Sequence, residues 1–114
     1  MTRKFQQLNA LRELTELKSE ISRAKLSAHR AEIDEIAAVM REVTAARATI
    51  AAETPTQAAA DDRYAIWAAK RNEVLQSDLA MAMARAQPVK EMAAKDEARS
   101  QVIKQLIKDR KKRP

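Results

Sequence analysis

His29 is the only histidine in the 114-residue chain, and there is no cysteine. Without thiols there are no disulfides, thiolate zinc sites, iron–sulfur clusters or cysteine nucleophiles to consider. A triad or a metal centre needs several groups converging on one point. The acids nearest His29 are Glu32, Asp34 and Glu35. They spread around a helical wheel and make a solvated face, not a carboxylate pair, so His29 reads as a packing or surface residue. Glycine is also absent, which removes the usual means of building a phosphate-cradling loop. The expectation is a protein that is not an enzyme, with no catalytic, cofactor-binding or metal-binding residue.

The residues able to recognise something are charged or aromatic. The net charge is +6, and its placement is uneven. Residues 1–55 carry nine Lys/Arg against eight Asp/Glu, whereas residues 104–114 carry six basic side chains and a single acid, Asp109. The basic run Lys108, Arg110, Lys111, Lys112 and Arg113 either neutralises a helix C-terminus or meets an acidic or phosphate-bearing partner. Tyr64 and Trp67, two of three aromatics, sit three apart. They either close the end of a helical pair over Ala45, Ala46 and Ala48, or form a contact patch at its tip.

The elements that must position these groups are helical. Ala, Glu, Lys, Leu and Arg supply 64 residues, and 24 of the 52 hydrophobic residues are alanine. This composition belongs to long helices or coiled coils, and the 28 larger apolar side chains can zip a seam more readily than enclose a pocket. From residue 2 to 52 nothing breaks a helix. Leu8, Leu11, Leu14, Leu17 and Ile21 recur at three or four residues. Leu26, Ile33, Ile36, Met40, Val43 and Ile50 then follow a coiled-coil seam, with a local shift between Ile21 and Leu26. A turn is expected at about 53–61, around Pro55. Thr54 and Gln57 have capping-box spacing, while Asp61 and Asp62 offer a competing start. The second helix, about 62–111, carries Tyr64, Trp67, Val74, Leu75, Leu79, Met81, Val89, Met92, Ile103 and Leu106 along its seam. Pro88 is expected to kink or split it.

The two arms are nearly equal in length. Folded antiparallel, with opposed residue numbers summing to about 114, they set Leu8 against Leu106, Leu11 against Ile103, Ile21 against Met92, Ile33 against Met81 and Met40 against Val74. The expected fold is therefore all-α, a single antiparallel two-helix coiled-coil hairpin spanning residues 1–114. Two helices bury little, so self-association or docking on a partner protein is expected.

The chain resembles the FliJ/YscO family, small coiled-coil stalk proteins of flagellar and type III secretion systems. The resemblance lies in the arm Phe5-Gln6-Gln7-Leu8-Asn9-Ala10-Leu11-Arg12-Glu13-Leu14, the return start Arg63-Tyr64-Ala65-Ile66-Trp67, and the basic helix Arg99-Ser100-Gln101-Val102-Ile103-Lys104-Gln105-Leu106. It implies an antiparallel two-helix stalk whose paired ends enter a hexameric export ATPase, with other surfaces contacting the export gate or substrate chaperones. Arg3, Lys4 and Phe5, beside Lys108, Arg110, Lys111, Lys112 and Arg113, would then form the partner-binding base. Such a basic end suits an acidic ring lumen.

Two function classes follow: an assembly coiled coil that regulates a secretion ATPase, or a generic helical adaptor or nucleic-acid-associated protein using the basic tail. Nucleic acid ranks behind a protein partner, because aromatic content is 3% and no recognition motif is present. No stretch approaches the roughly 18 apolar residues of a membrane span. The N-terminus has no apolar run of a secretory signal. A cytoplasmic location is expected.

Overall fold

The computed structural model describes residues 3–48 and 54–112, and within these the fold is an all-α, antiparallel two-helix hairpin. Helix α1 spans Arg3–Ala48 and α2 spans Pro55–Lys112. Expectations that fall on residues 49–52, Ile50 among them, and on Arg113 lie outside the described residues.

The start of α2 corrects the expected boundary. Residues 55–61, read as part of the turn, are helical. Thr54 caps the helix: its Oγ1 accepts from the Gln57 amide at 3.1 Å, and its carbonyl accepts from the Ala58 amide at 2.9 Å. Pro55 fills the first helical position, where a missing N–H costs nothing. Asp61 and Asp62 lie inside the helix and do not open it. Three basic residues, Arg110, Lys111 and Lys112, occupy the last turn and complement the helix dipole.

Pro88 does not split α2, which runs uninterrupted through it. The residue is exposed and lines a groove at the flank of the pairing with Ser22, Lys25, Val89 and Met92, and it withholds one backbone donor from the helix.

The chain divides into two compact units. Unit 1 comprises Met1–Ala28 and Arg85–Pro114; unit 2 comprises His29–Ala84. Each pairs a stretch of α1 with a stretch of α2. In unit 2 the core is Val43, Ala68 and Leu75, with Ile36, Val39, Met40 and Tyr64 packed against it. Large apolar side chains make this pairing, as expected for a coiled-coil seam.

Unit 1 is held differently. Its inward positions on α1 are Phe5, Leu8, Arg12, Thr15, Ser19, Ser22 and Leu26, an alternation of three and four residues. On α2 they are Ala86, Val89, Ala93, Asp96, Ser100, Ile103 and Ile107, with the same alternation. The seam therefore mixes six large apolar side chains (Phe5, Leu8, Leu26, Val89, Ile103 and Ile107) with six small or acidic ones, two alanines, three serines and one aspartate. Among the polar ones, Ser19 donates to Glu97 and Ser22 to Asp96 across the pair, while Asp96 Oδ1 makes no hydrogen bond.

This revises the expected seam: Leu26, Ile33, Ile36, Met40 and Val43 of α1 and Tyr64, Leu75, Leu79, Val89 and Ile103 of α2 are buried or half-buried as expected, but other members are not. Leu11, Leu14, Leu17 and Ile21 are 45–63% exposed, and Val74, Met81, Met92 and Leu106 are 48–51% exposed. Of the five proposed pairs, Leu8 and Leu106 line a common cavity. Cross-helix polar contacts join residues whose numbers sum to 114–120, so the register lies a few residues beyond the single value of 114. Spacing thus found the α1 seam from Leu26 onward but drew Leu11, Leu14, Leu17 and Ile21 into it, because α1 carries a second apolar stripe offset around its circumference.

Candidate interaction surfaces

The residues expected to form a basic base belong to unit 1. Arg3 and Lys4 open α1 and are exposed, and Phe5 is half-buried at the first inward position. Lys108, Arg110, Lys111 and Lys112 are exposed in the last turns of α2. The two clusters are thus gathered into one compact unit by the antiparallel pairing. Between them lies a cavity of about 320 Å³ lined by Leu8, Leu106, Asp109 and Arg110. Across the whole of unit 1 the sequence carries 16 Lys/Arg and seven Asp/Glu, against six and nine in unit 2.

Deeper in unit 1 lies a polar cluster that sequence reasoning missed. Asp96 is 2% exposed and accepts a hydrogen bond from the Ser22 hydroxyl. Its other oxygen lies 3.6 Å from the Arg99 guanidinium and 4.0 Å from Lys18 Nζ. The next residue, Glu97, accepts from Ser19 Oγ at 2.8 Å and from Gln101 Nε2 at 2.9 Å, and pairs with the Arg23 guanidinium. These donors, Gln101 foremost, then Ser19 and Arg23, hold the Glu97 carboxyl at a pKa of about 2, down from 4.5, because each interaction favours the ionised form. On the same flank Lys104 Nζ lies 3.7 Å from Glu16. The signal was present in the sequence: Ser19 and Ser22 continue the three–four spacing of Leu26, Ile33, Ile36, Met40 and Val43 backwards. Apolar-only patterning passes over them.

Next to this cluster is a groove of about 190 Å³ lined by Ser22, Lys25, Pro88, Val89 and Met92. Its volume falls below the usual range of small-molecule sites.

In unit 2 the two aromatics separate in role. Tyr64 packs on the Val43, Ala68 and Leu75 core, while Trp67 is 52% exposed. Their rings are 5.5 Å apart and tilted by 37°, a geometry within the attractive range for aromatic pairs. Tyr64 thus closes the helix pair and buttresses an indole that faces solvent. His29 is half-buried, and its Nδ1 has no hydrogen-bond partner.

Among the described residues no group of three or more His, Cys, Asp or Glu is disposed to hold a metal ion. None of their helices is long and apolar enough to cross a membrane. The surfaces on offer are a cationic end, a half-exposed tryptophan, and stripes of large apolar side chains on both helices. Comparison with known proteins found no matching family model, no matching curated protein and no matching solved structure.

Proposed function

We propose that this protein is a non-enzymatic coiled-coil assembly factor whose cationic end engages an acidic protein surface, in the manner of the FliJ/YscO stalk proteins that it resembles in sequence. The observation that carries this reading is the gathering of Arg3 and Lys4 with Lys108, Arg110, Lys111 and Lys112 in one unit. Basic residues concentrated at one place attract an acidic partner over about a Debye length and orient its approach. Phe5, half-buried beside them, adds an apolar anchor. A hexameric export ATPase with an acidic lumen is a partner of this chemistry, and the export gate is a second point of contact for the remaining surface.

The test is the hydrolysis rate of the export ATPase from the same organism, with and without this protein, at moderate salt. Stimulation at low stoichiometry that disappears on deleting residues 108–114 is the expected result. No stimulation and no co-purification would remove the stalk assignment. Binding to a polyanion with a steep salt slope would replace it with a nucleic-acid-associated role.

A further inference from the structure

We infer that the chain pairs with a second copy of itself, the apolar and cationic face of unit 1 in one copy docking on the apolar and acidic face of unit 2 in the other. The first ground is area. Twelve large apolar side chains among the described residues are 45–63% exposed, while only four larger than alanine are buried. The accessible surface is 8607 Å², whereas a compact monomer of 12.8 kDa exposes roughly 6,300 Å² by the usual mass scaling. Exposed apolar surface on this scale marks an interaction site, and a stable dimer needs about 800 Å² from each partner.

The second ground is charge, which selects the occupant. In unit 1, Leu11, Leu14 and Ile21 of α1 share a flank with Lys18 and Lys25. On α2 the matching flank alternates Met92, Val102 and Leu106 with Lys95 and Arg99. The α1 acids of this unit, Glu13, Glu16 and Glu20, fall on the other flank, where Glu16 meets Lys104. In unit 2 the corresponding helical positions hold Trp67, Val74 and Met81 with Glu35, Glu42 and Asp78, bordered by Arg63, Lys70 and Arg71, and the unit as a whole carries nine Asp/Glu against six Lys/Arg. Two copies of unit 1, each with 16 Lys/Arg against seven Asp/Glu, repel each other, as do two copies of unit 2, each with six against nine. A unit 1 face and a unit 2 face match in both apolar content and charge, and a second copy supplies the complement of each. An unrelated acidic partner would satisfy only unit 1.

Light-scattering mass and sedimentation equilibrium of the full chain test this directly. The expected result is a species of twice 12.8 kDa whose dissociation constant rises with salt. The double variant Leu14→Glu and Ile21→Glu changes only exposed positions, so helix content measured by circular dichroism is retained while dimer affinity falls by about 100-fold or more. A charge swap reads the pairing itself. Lys25→Glu with Lys95→Glu weakens self-association, as does Glu35→Lys with Glu42→Lys, and mixing the two variants restores a heterodimer. A monomer at high concentration and low salt would overturn the inference, as would a dimer indifferent to both the glutamates and the swap. A monomer that binds vesicles containing anionic phospholipid through Leu14 and Ile21 would overturn it in favour of a lipid-facing role.

Discussion

Glu97 is the side chain whose ionisation is most strongly tied to the folded state. Three donors from two helices converge on its carboxylate, and its pKa falls from 4.5 to about 2. A carboxyl depressed on folding contributes stability that is fully present above its unfolded pKa and is lost as pH falls through its folded pKa. The window therefore runs from about 4.5 down to about 2. Glu97→Gln should be less stable than the parent at neutral pH, and the difference should shrink across that window and vanish at its acid end. Urea midpoints taken at several pH values check this; a constant difference would mean that the carboxylate is not what Ser19 and Arg23 recognise. Its neighbour Asp96 plays a different part. A buried carboxylate in the seam tolerates few alternative partners, so a slip of one helix along the other would leave it without Ser22 and Lys18. Neither role is legible from apolar spacing, which takes no account of Asp96 or Glu97. Burial assigned by apolar spacing cannot detect a carboxylate whose partners lie more than seventy positions away.

Two helices were legible, and the reason is physical. No residue between Arg3 and Ala48 opposes helix, and the lysine and arginine of the last turn and the i,i+4 pairs Gln87–Glu91, Gln101–Glu97 and Gln105–Asp109 support the second. The turn is legible only to within several residues, because a proline between two helical patterns reads equally as a breaker and as a first helical residue. In the structure Pro55 initiates α2 behind the Thr54 cap, the one position where proline favours a helix. Pro88 is the remaining local conflict. It withholds a backbone donor from the interior of α2, yet its side chain is exposed and takes no part in the seam. Pro88→Ala should therefore raise stability, by as much as about 3 kcal/mol, and raise the melting temperature accordingly. Thermal unfolding followed at 222 nm provides the measurement. A loss of stability instead would show that Pro88 is needed to shape the groove it lines with Ser22, Lys25, Val89 and Met92.

At the scale of the whole molecule, the distribution of apolar side chains separates what holds one chain together from what is left for others. Alanine and serine take five of the fourteen inward positions in unit 1, and Leu11, Leu14 and Leu17, expected there, are exposed. Such small residues contribute little transfer free energy, since each buried methylene is worth about 0.8 kcal/mol, so a hairpin of this kind is marginal as a monomer. Association with a second copy adds burial that the single chain lacks, and it couples stability to concentration by mass action. For a dimer that dissociates on unfolding, each tenfold rise in protein concentration stabilises by about 1.4 kcal/mol, or about 3–5 °C in melting temperature for a pair of chains this size. The parent protein should show that slope at low salt and a shallower one at high salt, because matched charges are screened. Leu14→Glu with Ile21→Glu should melt at one temperature regardless of concentration, while keeping the acid sensitivity set by Glu97. A parent melting temperature that does not move over a hundredfold range of concentration would mean that the seam within one chain suffices by itself, and that the exposed leucines serve a partner of another kind.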